Sequence, residues 1–459
     1  METIFNIAFY YILIPIAVLG IAVNIHEFGH FLVAKLFGMR VEAYSFFGLG
    51  PRIWGFKLGH TDYRISAIPL GAYVKLYGDE ATAALEGGES QDEKVPDREL
   101  YEIRPRWQKF LVMLGGPFMN IVLALAVPFG MALIQGIPAA TAPVLESIKP
   151  DGAAAVAGLK PGDRITSFNG IENPTWRQIE LQAGINPDNP LPVTVERAGQ
   201  KIDLQVTPAK RTIIGQIAGD IEADPDPGIM PVVVDQVSPD SPAQEAGLKS
   251  GDRIVSVNGE RVRSIRQSKD LVEANKANPI NIVIERNGQL QTITASVRKL
   301  DDGTERLGFS FAQPDLPVEK ATLSTAVAYA FDSNIENIQA TASVLGQVFA
   351  GKRSVRDSGI GGPVGIFQQS AQVTKALGVT GFFGILGLIS LSLGIFNLLP
   401  IPLLDGGQIM VLAVDKVMSW FGRTLSMVAK ERIQLTGLAI VLLLMVTVIF
   451  FDVSRLVGK

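Results

Sequence analysis

Cysteine is absent from the 459 residues. That excludes a disulfide framework, a thiolate metal site and a cysteine nucleophile. Histidine is scarce, with three in the chain, so imidazole chemistry is confined to His26, His30 and His60. Positive charge is not in excess either. The 41 Lys and Arg against 45 Asp and Glu leave a net charge of -4, and nothing points to a nucleic-acid partner. The N-terminus lacks the basic n-region and small-residue cleavage site of a signal peptide, so its first apolar run is expected to remain as structure. Apolar residues, by contrast, are abundant: they make up 47% of the chain, and the mean hydropathy of +0.27 is high for a soluble protein. A mixed membrane-and-soluble architecture fits both numbers.

Four segments have the length and apolarity of membrane spans: about Phe9 to Phe37, Phe110 to Gln135, Val379 to Leu399 and Leu435 to Phe451. Lys35, Arg40 and Arg52 follow the first span, and Arg104, Arg106 and Lys109 precede the second. Lys416, Arg423, Lys430 and Arg432 lie between the third and fourth. By the positive-inside rule those two loops are cytoplasmic, and both termini and the long middle region face the other compartment.

The middle region repeats itself. "VLESIKPDGAAAVAGLKPGDRITSFNG" from Val144 returns as "VVDQVSPDSPAQEAGLKSGDRIVSVNG" from Val233, an offset of roughly 89 residues that suits two tandem domains. Each copy ends in Asn-Gly between apolar runs, a strong hairpin signal. "AGLKPGDRI" and "AGLKSGDRI" resemble PDZ domains of the circularly permuted bacterial kind. The resemblance implies binding of extended peptide by strand addition, with a carboxylate loop at Ile214, Gly215, Gln216 and Ile217 in the first copy. In the second copy that loop would be Leu307, Gly308, Phe309 and Ser310. Inert packing of one or both copies is the alternative.

Between the first two spans, "VEAYSF", "RIWGFKLG", "TDYRISAIP" and "GAYVKLYG" alternate and are rich in aromatics, the pattern of a small β-meander. The acidic stretch that follows reads as a disordered linker. Residues 321–349 form an amphipathic helix pattern, too polar to span and suited to the membrane surface.

The chemistry concentrates in "NIHEFGHFLVAKLFG", Asn24 to Gly38. Ionisable groups within an apolar span are costly and mark function. On a helix, His26 and His30 share one face and can grip one ion. Zinc suits imidazole, and Glu27 beside the first ligand can take a proton from the attacking water. His60 reads as an ordinary polar loop residue. Two histidines leave zinc short of a ligand, and Asp405 in "NLLPIPLLDGGQ" is the candidate third. At about 1.5 Å per residue, His26 lies about 26 Å along the first span and Pro400 about 27 Å along the third, so the two depths agree. Asp452 ends the fourth span on the opposite face, and Asp415 lies beyond the Pro400–Pro402 break.

"HEFGH", "GGPFMN" opening the second span and "NLLPIPLLDGG" closing the third together resemble the signature of the site-2 proteases, intramembrane zinc metalloproteases. The likeness runs the length of the chain. It implies one Zn²⁺ held by His26, His30 and Asp405, with Glu27 as general base. It also implies a substrate cleft lined by Asn397, Pro400 and Pro402, and a membrane-reentrant β-loop in which Ile68, Leu70, Gly71, Ala72 and Tyr73 pair with substrate. Ala72 stands where a second glycine is common, and Gln408 where histidine is frequent. Gly115 and Gly116 suit close helix approach, and Asn120 either orients the catalytic groups or satisfies a neighbouring helix. Implied partners are the lipid bilayer, an anti-sigma-factor-like transmembrane substrate already shortened outside the inner membrane, and remnant signal peptides. A PDZ scaffold with a relic motif and an ion-coupled transporter are the rivals. The relic requires decay although ligands and base are all present, and the transporter lacks repeated broken helices.

The expected fold is a four-span α-helical membrane protein with a membrane-associated β-loop and two PDZ-like α+β domains. The expected boundaries are span 1 at 1–37, β-loop 38–78, linker 79–108, span 2 at 109–136, repeats 137–222 and 223–315, surface helices 316–378, span 3 at 379–408, cytoplasmic loop 409–433 and span 4 at 434–459.

Overall fold

The computed structural model describes residues 8–68, 71–78, 95–139, 143–213, 216–225, 232–262, 264–299, 305–312, 318–352, 354, 362–423 and 425–457. The chain divides into two compact units, Met1–Ile137 with Lys320–Lys459, and Pro138–Glu319.

In the first unit four helices are long and apolar enough to cross a membrane: α1 (Phe9–Leu36), α2 (Arg106–Gln135), α6 (Pro363–Asn397) and α8 (Met427–Val457). α1 and α2 pack against each other, and α6 packs on both. Val18 and Ala22 of α1 meet Ile385, Leu386 and Ile389 of α6 in one buried cluster. Outward-facing Leu13, Phe118, Phe383 and Leu443 remain exposed, a continuous apolar outer surface that water would penalise and lipid accepts. α6 would be far too long for one straight crossing. Gly378 breaks it at φ +59°, ψ −136°, a conformation open only to glycine at low cost.

The third span ends at Asn397, and the chain turns through 398–404 before α7 (Asp405–Trp420) starts. Asp405 therefore opens a new helix and does not close the span; Pro400 and Pro402 lack the N–H groups that would continue α6. α5 (Leu323–Phe349) is a helix as expected, but it has a packed face. Ala326, Ala330, Ser333 and Asn334 are buried, and Asn334 Nδ2 donates to the carbonyl of Ala124 in α2 at 3.0 Å.

The loop after α1 is a four-stranded sheet of β1 (Val41–Phe47), β2 (Leu49–Leu58), β3 (Thr61–Ile68) and β4 (Tyr73–Leu76). It is not the expected meander. The order is β2-β3-β1-β4, with β1 and β3 parallel. Alternation in sequence sets strand faces but not strand neighbours, and the β2–β3 hairpin slots β3 beside β1. Ile68 is thereby paired with Leu49 inside the sheet, whose two edge strands are β2 and β4. The linker expected at 79–108 is folded where it is described: Glu99 pairs with Arg40 at 2.8 Å, and Tyr101 is buried against Met39, Val112 and Met113. Residues 79–94 lie outside the described residues.

In the second unit the first repeat comprises β5 (Leu145–Ile148), β6 (Arg164–Phe168), α3 (Trp176–Ile185), β7 (Leu191–Arg197), β8 (Gln200–Val206), the hairpin β9 (Ala209–Ile213) and β10 (Gln216–Asp220), and β11 (Ala223–Pro225). The second comprises β12 (Val232–Val237), β13 (Arg253–Val257), α4 (Ile265–Ala274), β14 (Ile280–Arg286), β15 (Gln289–Ala295) and β16 (Phe309–Phe311). Asn169-Gly170 and Asn258-Gly259 make the anticipated tight turns, with φ of +48° at both asparagines and +83° and +85° at the glycines. Thr175 caps α3 in a capping box with Gln178, and Ser264 caps α4. Each repeat has its own core, one around Phe168, Ile179 and Val195 and one around Val257, Ile282 and Ile284.

The repeats share a buried ion pair at the same offset as their sequences. Asp163 accepts two bonds from Arg197 at 2.6 Å each, and Asp252 two from Arg286 at 2.6 Å each. The backbone N–H groups of Lys160 and Lys249 complete the two carboxylates. Burial pushes both carboxyls up, but the guanidinium and N–H donors outweigh it and hold them below the usual carboxylate range.

The boundary expected at 222/223 moves. Ala223 is 1% exposed in the first core, and β11 pairs with β5. The last strand of each repeat returns to its first, β11 to β5 and β16 to β12.

Candidate active site and metal centre

The site is assembled from three elements that pack on one another. α1 carries His26, Glu27 and His30; α2 lies against it; α7 brings Asp405. Close approach of α1 and α2 depends on Gly29 and Gly115, whose backbones meet with no room for a methyl on either. Gly116 likewise faces both imidazoles, and a Cβ there would collide with His26 and His30.

Each imidazole is turned by a bond to α2. His30 Nδ1 lies 2.7 Å from the carbonyl of Val112, which can only accept, so Nδ1 carries the hydrogen and Nε2 keeps its lone pair. His26 Nδ1 lies 3.2 Å from the Asn120 amide. Ser390 Oγ is 2.9 Å from the Asn120 carbonyl and 3.3 Å from its side-chain oxygen. Amide oxygen and nitrogen are interchangeable in placement. With the oxygen toward His26, Nδ1–H donates to Asn120, the amide donates to Ser390, and Ser390 donates to the Asn120 carbonyl. His26, the Asn120 amide and Ser390 then each donate one bond. Asn120 thus holds the His26 ring and ties α2 to α6 as well.

The two Nε2 atoms are 3.2 Å apart. His26 Nε2 lies 3.0 Å from Asp405 Oδ2, and His30 Nε2 3.4 Å from Asp405 Oδ1; the three side chains are 10–12% exposed. One ligand atom from each falls within 4.8 Å of the others. Among the described residues Asp405 Oδ2 is buried without a hydrogen-bond partner. In that tautomer two inward lone pairs and a carboxylate converge, and such a cluster is complementary to a cation. The residues fit a zinc ion, for which two His and one carboxylate leave a position open for catalysis.

Glu27 and Asn397 line the same cleft, with Val23, Val74, Leu403 and Leu404. Val74, on the β4 edge, lines the cleft beside Glu27. Glu27, the β4 edge at Val74 and the His26–His30–Asp405 group therefore share one cavity.

The model of peptidase family M50 matches residues 14–444. This chain belongs to peptidase family M50. The regulator of sigma-E protease RseP of Escherichia coli (strain K12) is 31% identical to it over 463 residues, covering 96% of this chain and 98% of the relative. A putative zinc metalloprotease of Vibrio cholerae is 30% identical over 463 residues, with 96% and 98% covered. Among solved structures, the PDZ domain of an SdrC-like protein from Listeria monocytogenes overlaps 18% of this chain and 86% of its own at 20% identity, with a TM-score of 0.15. As an M50 peptidase of this length and order, the chain is a zinc metalloprotease of the site-2 protease type.

The remaining expected residues of this M50 peptidase divide. Tyr73 lies on β4 beside Val74, and Gly71 and Ala72 precede that edge. Ile68 is committed to β3, and Leu70 lies outside the described residues. Pro400 and Pro402 are not among the cleft-lining residues. They shape the turn, and Pro402 packs against Gly437 of α8. Leu403 and Leu404 line the cleft instead, because Leu403 takes a left-handed conformation at φ +91°. Nothing in a run of apolar residues signalled that reversal. His60 sits exposed in the β2–β3 turn, apart from the metal group.

In the repeats, Ile214 and Gly215 lie outside the described residues, and Gln216 and Ile217 belong to β10. They do not correspond to the second-copy loop. Leu307 accepts from the Ala243 N–H at 2.9 Å, and the matching bond in the first repeat runs from Ala154 to Ile221 at 2.9 Å. The first-copy counterpart of Leu307 is therefore Ile221. Gly308 accepts from Ser238 N–H, Phe309 pairs with Val237, and Ser310 Oγ accepts from Gln236 N–H.

Proposed function

We propose that the chain cleaves peptide bonds within the transmembrane segments of single-pass membrane proteins, from the bacterial inner membrane. The observation that carries this reading is the convergence of His26, His30 and Asp405 with Glu27 in a cleft between apolar helices.

His26, His30 and Asp405 would hold one zinc ion. When bound, it supplies Lewis acidity to a carbonyl and to water. Glu27 takes the proton of the attacking water and passes it to the departing amine nitrogen. Val112 and Asn120 hold the two imidazoles in the tautomer that leaves Nε2 inward. A helical substrate hides its carbonyls in its own hydrogen bonds, so it must unwind before attack, and the freed backbone needs partners inside a bilayer. The β4 edge at Tyr73–Leu76 offers them by strand addition, with Gly71 and Ala72 leading in. Asn397 faces the same cleft with both a donor and an acceptor. On the other edge of the sheet, Ile53, Trp54, Phe56 and Leu58 are exposed, which suits a β-loop dipping into lipid.

The substrates inferred from the family are an anti-sigma factor already trimmed outside the membrane, and remnant signal peptides. Release of the cytoplasmic fragment would pass an envelope signal to transcription. The two repeats, taken as PDZ-like modules on the periplasmic side with both termini, would screen out substrates that keep a bulky external domain. The test is co-expression of an epitope-tagged transmembrane substrate with the wild-type chain or Glu27→Gln. A shortened fragment is expected with the wild type alone. A fragment formed equally by both would remove Glu27 from the mechanism.

A further inference from the structure

The second span supplies no metal ligand, yet it touches every element that does. Val112 fixes His30 and Asn120 fixes His26. At the first turn of α2, Arg106 reaches the helix that opens with Asp405. Arg106 Nη2 and Nε lie 2.7 and 3.1 Å from Asp415 Oδ2, and the other oxygen accepts the Leu425 N–H at 3.0 Å. Asp415 is 8% exposed. A carboxylate buried to that degree is tolerated only when its lone pairs are occupied, and here three donors from two other segments occupy them.

Asp405 needs such an anchor. Its helix has no side-chain cap at the N-terminus; Gly406 and Gly407 seat the first turn against the backbone of residues 398–402, which leaves the far end of the helix to be held from outside. Leu403, just before, is held at φ +91°, a conformation that non-glycine residues keep only where the surroundings enforce it. Asp415 lies ten residues further along the same unbroken helix, a rod of about 15 Å. We infer that the Arg106–Asp415 pair is the positioning contact for the third metal ligand: it docks α7 on α2, the helix that also orients both histidines, and so sets the reach of Asp405 toward His26 and His30.

This inference rests on the zinc reading of the site, and the experiment separates the two. The full chain in detergent is stripped of metal, and its zinc affinity is measured by competition with a chromophoric chelator. The absorption spectrum of the cobalt-loaded form and the melting temperature are read in parallel. Asp405→Asn is the reference, and Asp415→Asn, Arg106→Ala and Arg106→Lys are the test variants. Asp405→Asn is expected to lose zinc. Asp415→Asn and Arg106→Ala are expected to bind about tenfold more weakly, the range seen when a metal ligand loses its outer support, with an altered cobalt spectrum. Arg106→Lys keeps the charge and is expected to recover part of the affinity. Folded Asp415→Asn or Arg106→Ala with wild-type zinc affinity and cobalt spectrum, whatever their melting temperature, would overturn the inference while leaving the site intact. Should Asp415→Asn and Arg106→Ala both fail to fold, Arg106→Lys decides alone: weakened zinc binding supports the contact and unchanged binding overturns it. A wild-type chain that holds no zinc would overturn both.

Discussion

Asp163 and Asp252 of the repeats and Asp405 of the helical unit are carboxylates taken largely out of water, and their surroundings differ in kind. Asp163 and Asp252 each face an arginine fork and a backbone N–H, and the same answer occurs twice in one chain. Asp405 is more open, 12% exposed against 0% and 1%, and faces two imidazoles, and one of its oxygens has no hydrogen-bond partner among the described residues. A buried charge with its counter-charge built in is part of the scaffold. A carboxylate set between two imidazoles, with no cationic side chain as its partner among the described residues, is a donor set suited to a shared metal ion. The contrast distinguishes structure from site without reference to any relative.

The contrast can be broken most severely by removing metal. A strong chelator is expected to abolish cleavage of a transmembrane substrate, and added zinc to restore it. In zinc-free protein, Asp405→Asn is expected to melt no lower than the wild type, since it relieves the crowding of acceptors. A clear drop would mean that Asp405 has a partner in the chain after all. Next in size is Glu27→Gln, which keeps the ligands and is expected to slow cleavage about 1,000-fold with zinc content unchanged by elemental analysis. Gly116→Ala pushes on both imidazoles and is expected to cost about 100-fold in rate; a wild-type rate would show that α2 can retreat freely.

The repeats provide the smaller effects. Asp163→Ala is expected to destabilise by about 2 kcal/mol, with or without zinc, because Arg197 loses its partner but is 28% exposed and regains some water. Acid provides the gentlest probe. Both carboxyls sit below the usual range when folded, so their contribution is complete above about pH 4 and fades as pH falls through that range toward the lowered folded values. Melting curves of the full chain against pH should show this acid loss, and Asp163→Asn with Asp252→Asn should flatten it.

Much of the site was legible because helical spacing is a local property. His26 and His30 are one turn apart on any helix, so their shared face needed no tertiary information. Asp405 was legible from depth, since two spans running the same way bring equal rises to equal levels. Asn120 was only half legible: its bond to His26 depends on how α2 rolls against α1, which Gly29 and Gly115 allow but a linear pattern does not state. The β-loop misled because alternation gives the faces of strands and not their order. Arg106 and Asp415 carried no signal, since a pair 309 positions apart is made by packing alone.

Sequence by itself determined the four apolar helices, the duplicated module and the placing of His26, Glu27 and His30 within one turn or so of an apolar helix, all consequences of composition and of short-range periodicity. Tertiary structure alone decided the sheet order, the left-handed turn at Leu403, the boundary after β11 and the role of α2 as the helix against which every ligand is set. The physical reason is that spacing along a chain constrains neighbours within a turn or a strand, whereas contacts between elements are chosen by which faces can approach and which buried polar groups must find partners.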